Sequence, residues 1–517
     1  MSENVIHRVR LGPLAAAVDE QLAQLAADDV VKRVWDRDHT VWAPDPTEIS
    51  DRLGWLDVPP EMLAAKERLD GFVAGCLADG LTHAVVMGMG GSSLFPEVMA
   101  RTFGSAAGHL TLHVLDTTDP AAVARVEGYC PLDTSIFVAS SKSGSTVETR
   151  SHLAHFWERV GRSEQFAVVT DPGSDLGKLA KERGFREVFE NRPDIGGRYS
   201  ALSFFGIVPA ALAGVPWTTM VDAAIALEPA LKLADPAANP GLHLGAILGA
   251  AVKAGRDKVT FVIDERIETF GLWLEQLLAE STGKHGTGVV PIVGESLGSV
   301  DVYGDDRIFV VIGEPQSRIA IDVLADTGHP VVELQLGDLT DIGQQVQLWE
   351  FATAICGAVL GINAFDQPNV QEAKDATKAV LAGDPPKIDL TPIDALLNQL
   401  KPGDYLSIQA YVDPEDPDDI DLITEARLRL RDEFKVATTF GLGPRFLHST
   451  GQLHKGGPPT GVFLQVVGVD QTDCAIPDEP FTFSQLKHAQ ADGDLLTLGK
   501  HGLRAGRIAI KSLEEHE

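Results

Sequence analysis

Val85-Val86-Met87-Gly88-Met89-Gly90-Gly91-Ser92-Ser93-Leu94 is the stretch on which the fold turns. An apolar strand runs into a glycine-rich turn that closes in hydroxyls, and a helix-like segment follows. Glycines let the backbone approach a ligand with no Cβ in the way. The N–H groups of such a turn, with the next helix N-terminus, form an anion site. A second strand-like run, Ser135-Ile136-Phe137-Val138-Ala139, feeds Ser140-Ser141-Lys142-Ser143-Gly144-Ser145-Thr146. Hydroxyls and one ammonium after strand ends suit a phosphate, which needs donors more than shape. Either turn alone is equally well explained as turn and cap chemistry. The two together point to a pocket for a phosphorylated small molecule, built around Gly91, Ser92, Ser141, Lys142, Ser143 and Thr146.

Outward from these turns the pattern is alternation. From His83 to about Glu190, β-rich runs alternate with helical stretches. After the break at Asn239-Pro240-Gly241 the alternation resumes through 259–263, 289–293, 308–312 and 331–336. This predicts an α/β protein of two tandem doubly wound, Rossmann-like parallel-sheet domains. Residues 1–75 carry Leu, Ala and Val at helical spacing and read as a helical N-terminal segment. The two sheet domains are expected over 76–238 and 239–383. Residues 384–517, beyond Asp384-Pro385-Pro386, read as an α/β C-terminal segment, either a small third domain or a piece completing the second sheet. Within it, 405–412 and 462–467 read as strands, 422–434 as a helix, and 440–459 as a long loop rich in Gly and His.

Composition narrows the function. The 517 residues allow sizeable cores, and 44% apolar with 23% charged residues is an ordinary globular balance. No apolar run is long enough to span a bilayer, and the N-terminus lacks the pattern of a signal peptide. Four widely separated cysteines (Cys76, Cys130, Cys356, Cys474) argue against a disulfide framework or a zinc cluster and suit a reducing, cytoplasmic setting. The net charge of −31 excludes nucleic acid and anionic membrane as natural partners. It also repels a phosphate at long range, so local donors must outweigh the field; screening over about 8 Å makes that feasible.

Four further segments hold candidate chemistry. In Ile195-Gly196-Gly197-Arg198-Tyr199-Ser200, the glycines let a permanently charged guanidinium approach an anionic intermediate. The run from Leu272 to Lys284 reads as a helix ending at Gly283, with Gln276 and Glu280 four apart on one face. Apolar neighbours and the helix C-terminus raise the pKa of Glu280, as a carboxylate base requires. Asp366–Lys374 reads as a turn entering a helix that carries Lys374. His448 and His454 lie in Pro444–Gly457, where a residue titrating near neutrality suits proton transfer to a sugar ring oxygen; two His six apart equally fit plain loop residues or metal ligands.

In this order the segments resemble the glucose-6-phosphate isomerase family, enzymes of two sugar isomerase (SIS) domains. Gly88–Pro96 is similar to that family's Gly-Ile-Gly-Gly-Ser-x-Leu-Gly-Pro, and Ser141–Thr149 to its Ser-Lys-Thr-Phe-Thr-Thr-x-Glu-Thr. Gly196–Ser200, Gln276–Lys284 and Gln367–Lys374 resemble three more of its motifs. The resemblance implies that Gly91, Ser92, Ser141, Lys142, Ser143 and Thr146 hold the substrate phosphate. It makes Glu280 the base between C2 and C1, Arg198 the stabiliser of a cis-enediolate, Gln276 a sugar-positioning residue, and Lys374 an assistant at the ring. The family's ring-opening His normally lies between the Glu and Lys motifs, an interval that holds no such motif here, Glu295–Phe309 having no histidine. His448–Gly456 resembles its His-x-Phe-x-Gln-Leu-Ile-His-Gln-Gly with one residue deleted, as if the element had moved to the C-terminal segment. That arrangement also resembles the isomerase part of transaldolase–isomerase fusions. His448 is then the expected ring-opening residue, with His454 in reserve. The implied activity is the interconversion of glucose 6-phosphate and fructose 6-phosphate in glycolysis and gluconeogenesis, with no cofactor, no metal, and as the assembly a homodimer whose site borrows a His from the neighbouring subunit. The alternatives are a dual phosphoglucose/phosphomannose isomerase and a non-catalytic sugar-phosphate-binding regulator. A glutamine-using enzyme on the same domains needs an N-terminal nucleophilic Cys, and the first cysteine here is Cys76.

Overall fold

The computed structural model describes residues 5–383 and 386–515. Strand β1 (Ile6–Arg10) comes first, and after a run of helices the first sheet is built from β2 (His83–Met87), β3 (Thr111–Leu115), β4 (Ser135–Ser140), β5 (Phe166–Thr170) and β6 (Glu187–Glu190). Its order is β3-β2-β4-β5-β6, parallel throughout. β4 and β5 are buried at every position, as strands covered by helices on both faces must be. The second sheet takes β7 (Lys258–Ile263), β8 (Val290–Ile292), β9 (Arg307–Ile312) and β10 (Val331–Leu334), in the order β1-β10-β9-β7-β8.

One feature of the N-terminal segment departs from the helical reading. Ile6–Arg10 is a strand that pairs antiparallel with the β10 edge. Five residues carry too little periodicity to compete with the helical spacing that follows them. The partner edge supplies the missing information: Arg10 lies 2.9 Å from Asp322 and 3.5 Å from Glu333, and Arg8 lies 3.3 Å from Asp322.

The C-terminal segment forms a sheet of its own rather than completing the second. It comprises β11 (Tyr405–Tyr411), β12 (Ala437–Leu442), β13 (Gly461–Val467) and β14 (Arg504–Ile508), parallel and in the order β12-β11-β13-β14. The stretch expected as a long loop is therefore a strand followed by a 3-10 turn (Arg445–His448) and a short helix (Gly451–Gly456). Buried polar contacts fasten this layer to both others. Arg445 makes two hydrogen bonds of 2.8 and 2.7 Å to Asp116, just past β3. Lys487 reaches Asp119 at 2.8 Å. On the other side, Arg427 donates to the Val293 carbonyl at 2.8 Å, and the Thr438 N–H donates to Glu295 at 3.1 Å. Charge-assisted bonds of this kind fix position as well as adding energy, and they seat the turn bearing His448 over the strand ends of the first sheet.

Candidate active site

A cavity of about 430 Å³ opens where the three layers meet. The Gly88–Ser92 turn leaves β2 at its C-terminal end, the edge at which ligands enter open α/β sheets. Its backbone runs hard against the next motif: a Cβ on Gly91 would stand 1.9 Å from the Gly197 carbonyl oxygen. Glycine here is a requirement of close approach between two loops that both line the cavity.

The second turn follows β4 and leads into the helix Val147–Val160. Ser141 Oγ and Thr146 Oγ1 are 2.9 Å apart, and the Gly144 N–H donates to Ser141 Oγ at 3.2 Å. Ser143 Oγ lies 2.9 Å from Ser145 Oγ. Lys142, Ser143 and Thr146 line the cavity, whereas Ser141 stands behind them. The Lys142 ammonium is already engaged by the Asp171 carboxylate and by the Pro193 carbonyl at 2.8 Å. The turn therefore offers an anion hydroxyls and a helix N-terminus more than an unpaired charge.

Helix Phe270–Thr282 carries Gln276 and Glu280 on its buried face. Gln276 Nε2 donates to Glu280 Oε2 at 3.3 Å and to the His448 carbonyl at 2.8 Å. Gln276 Oε1 is buried without a protein partner among the described residues. Glu280 is 5% exposed, and burial pushes its pKa above the ordinary 4.5, with the Arg198 and His448 charges pulling the other way. Arg198 Nη1 lies 3.6 Å from Glu280 Oε2. The guanidinium is aimed by three acceptors: Ser281 Oγ at 2.7 Å, the Ala364 carbonyl at 2.8 Å and the Asp366 carbonyl at 3.1 Å.

The helix ends at Gly283, whose φ of −77° lies outside the left-handed region. The glycine is needed for a different reason from a left-handed cap: a Cβ there would lie 2.5 Å from Leu453 Cα. That contact lets the short helix Gly451–Gly456 lie against the end of the Glu280 helix. Gln452 uses the contact to join two motifs. Its Nε2 donates to the Gly283 carbonyl and to Asn369 Oδ1, both at 2.9 Å, and its Oε1 accepts the Asn369 N–H at 2.8 Å. Asn369 is the N-cap of helix Val370–Ala382, so Gln452 sets the helix bearing Lys374 against the one bearing Glu280. Lys374 is exposed, lines the cavity, and forms no ion pair among the described residues.

His448 lines the cavity, reaching it from the C-terminal segment of the same chain as Glu280 and Arg198. Its Nε2 lies 2.9 Å from Glu148 Oε1, which also accepts from Gln490 Nε2 at 2.6 Å. Burial works to raise the Glu148 pKa, but the His448 charge and hydrogen bond outweigh it and hold the group below 4.5. An anchored carboxylate of this kind fixes ring orientation and leaves Nδ1 as the nitrogen available to a substrate. His454 is placed differently. It is outside the cavity lining, its Nδ1 is 3.1 Å from Gln409 Nε2, and its ring packs 5.1 Å from Phe463 and 5.9 Å from Phe446. Burial, with Lys455 beside it, drives its pKa well below 6.5, so it is a neutral core residue. Six positions in sequence separate the two histidines, and the helical turn between them sends one to the cavity and one to the core.

The structure adds lining residues that the sequence reading left unassigned, among them Glu48, Arg52, Asp171 and Pro193. Glu148 had a signal, since it is the Glu of the Ser141–Thr149 motif; Arg52 and Gln490 had none, because each reaches the site from a remote helix or turn.

Residues 61–305 match the family described as Phosphoglucose isomerase. A probable glucose-6-phosphate isomerase of Methanococcus maripaludis is 28% identical over 384 residues, spanning 65% of this chain and 86% of that protein. A glucose-6-phosphate isomerase of Thermosynechococcus vestitus is 28% identical over 444 residues, 74% of this chain and 82% of its own. Two solved structures share the fold. A glucose-6-phosphate isomerase from Chlamydia trachomatis aligns with a TM-score of 0.60 at 19% identity, covering 71% of this chain and 86% of that one. Hypothetical protein TT0462 of Thermus thermophilus aligns with a TM-score of 0.62 at 24% identity, covering 73% and 100% respectively.

Proposed function

We propose, on the premise that the chain belongs to the phosphoglucose isomerase family through residues 61–305, that it interconverts glucose 6-phosphate and fructose 6-phosphate. The observation that carries the reading is Glu280: a buried carboxylate with raised pKa, held against Arg198 in a cavity that also receives the Ser143–Thr146 turn. A base of that kind moves a proton, and a permanent cation beside it stabilises the negative oxygen that forms when the proton leaves.

In this reading the substrate phosphate sits on the Ser92, Ser143 and Thr146 hydroxyls and the N-terminus of helix Val147–Val160. Ser141 orients the turn from behind through Thr146. His448, steadied by Glu148, transfers the proton that opens the sugar ring. Glu280 then takes the C2 proton of the aldose, its carboxyl group exchanges in part with solvent, and it delivers a proton to C1 of the same enediolate, while the O2 hydroxyl proton passes to O1 and Arg198 holds the enediolate oxygen. Gln276 Oε1 accepts from a sugar hydroxyl. Lys374, exposed and lining the cavity, offsets charge at the ring.

Purified protein supplied with fructose 6-phosphate should produce glucose 6-phosphate; absence of turnover would remove the proposal. The homodimer belongs to the same proposal. A dimer need not complete the cavity, because His448 reaches it from its own chain. The cytoplasm is the proposed compartment: the four cysteines are unpaired, and no helix among the described residues is long and apolar enough to cross a membrane.

Two outcomes follow from the titrating groups. Since Glu280 must be ionised to act and its pKa is raised, turnover should fall on acidification along a limb centred above pH 4.5. A pH profile of kcat with its limb at or below that value would contradict the burial argument. His448→Asn should lower turnover of ring-closed substrate by about 10²-fold, whereas His454→Gln should leave it within about threefold, its cost falling on packing. Parallel steady-state assays decide this, and the reverse ranking would move ring opening to His454.

A further inference from the structure

The first sheet gathers three metal-ligating side chains at the end remote from the cavity. β2 begins at His83, and its other end, Met87, enters the Gly88–Ser92 turn; at ~3.3 Å per residue the two ends are about 13 Å apart. His113 stands on β3 opposite Val85. Side chains two apart on a strand share a face, so His83 lies on the Val85 face. The helix Pro120–Tyr129 returns across that face, its Val123 and Val126 packing with Val85 and Leu115, and Cys130 follows directly at its end. His83 Nδ1 is consequently 3.2 Å from His113 Nε2, and with Cys130 Sγ the three ligand atoms all lie within 4.8 Å of one another.

That spacing has a chemical meaning. A tetrahedral zinc bound by two imidazoles at ~2.0–2.1 Å sets their nitrogens about 3.3 Å apart, close to the 3.2 Å of the histidine pair, whose rings share a hydrogen bond and would exchange that N–H proton for the metal. The sulfur has to approach to ~2.3 Å from the ion, a shift on the scale of a side-chain torsion. Both histidines are half-buried and Cys130 is buried. Tyr129, 36% exposed, packs its ring, tilted, 4.9 Å from that of His113. Two imidazoles and one thiolate suit a borderline-soft cation and disfavour magnesium or calcium, which prefer oxygen.

We propose that His83, His113 and Cys130 form a binding site for a divalent transition metal, zinc by ligand type, with a fourth position open to water. The site is structural rather than catalytic. It joins β2, β3 and the helix end that precedes β4, and it shares no residue with the cavity lining. It stands whether or not the isomerase reading holds.

The test is a titration of chelator-treated, fully reduced protein with cobalt(II) as a spectroscopic stand-in for zinc. One cobalt per chain should bind, with tetrahedral d–d bands and a sulfur-to-cobalt charge-transfer absorption that zinc abolishes by displacement. Cys130→Ser should lose the charge-transfer band. His113→Gln should weaken binding by more than about tenfold, the scale already seen for outer-sphere partners. Both variants should keep the isomerase rate and the circular dichroism of the parent, and only the parent should gain thermal midpoint on adding zinc. If Cys130→Ser fails to fold, His83→Gln and His113→Gln carry the same comparison. A parent protein without the charge-transfer band at one equivalent of cobalt would overturn the proposal. So would binding that survives unchanged in both histidine variants.

Discussion

Glu280→Gln should lower turnover of fructose 6-phosphate by about 10²–10⁴-fold, the usual contribution of a positioned general base, with KM changed by less than about threefold. The amide keeps the size of the carboxylate and its contact with Gln276 (3.3 Å in the parent) but cannot accept a carbon-bound proton. The phosphate turn, Arg198 and His448 all remain, so binding persists while the proton-transfer step fails. A fall in kcat and kcat/KM together is the signature of a group needed only in the transition state. Because the carboxylate is buried and its ionised form disfavoured there, loss of its charge should not unfold the protein, which thermal denaturation of the variant checks. Unimpaired turnover in a folded variant would place the base elsewhere.

Arg198→Ala should be damaging in two separable ways. The side chain is 2% exposed, and its removal strands Ser281 Oγ, the carbonyls of Ala364 and Asp366, and the Glu280 carboxylate 3.6 Å away. Breaking one partner out of a buried ion pair costs about 3–5 kcal/mol, so chemical denaturation should show a loss of that order. The sign of the pH effect is also determined. The guanidinium charge lowers the Glu280 pKa against the burial that raises it. Without it, the carboxylate protonates more readily and the acid limb of kcat moves to higher pH. Arg198→Lys restores the charge but not the three-way anchoring, and should recover the limb more fully than the rate. A limb that stays in place in Arg198→Ala would mean that Arg198 and Glu280 do not act on one another.

Much of this architecture was legible in the chain. The alternation of apolar runs with helical spacing places β2–β6 and β7–β10, because parallel strands buried on both faces are near-continuous apolar runs. The Gly91 turn was legible for a related reason: only residues without a Cβ, or with small hydroxyls, tolerate two loops in contact. What was not legible depends on partners remote in sequence. β1 is a strand because the β10 edge, with Glu333 on it and Asp322 on the helix before it, is there to receive it. The segment from Phe440 is rich in Gly and His and reads as loop, yet Phe440, Gly441 and Leu442 continue a strand along β11. The histidines of that segment share a residue type and a motif but not an environment. Glu148 draws His448 into the cavity, while Gln409 and two phenylalanine rings enclose His454. The proposed metal site is the extreme case. Cysteine spacing argued against a zinc cluster, and the ligands come instead from two adjacent strands and a helix end that only the sheet brings together.

The central claim is that the Glu280 carboxylate carries hydrogen between C2 and C1. Its most direct test is proton NMR of the products formed from fructose 6-phosphate in deuterium oxide. The account predicts deuterium at C2 of the glucose 6-phosphate made by the parent protein, and loss of both product and incorporation in Glu280→Gln. Incorporation at the parent rate in Glu280→Gln, or product from the parent with no exchange under any condition, would contradict it.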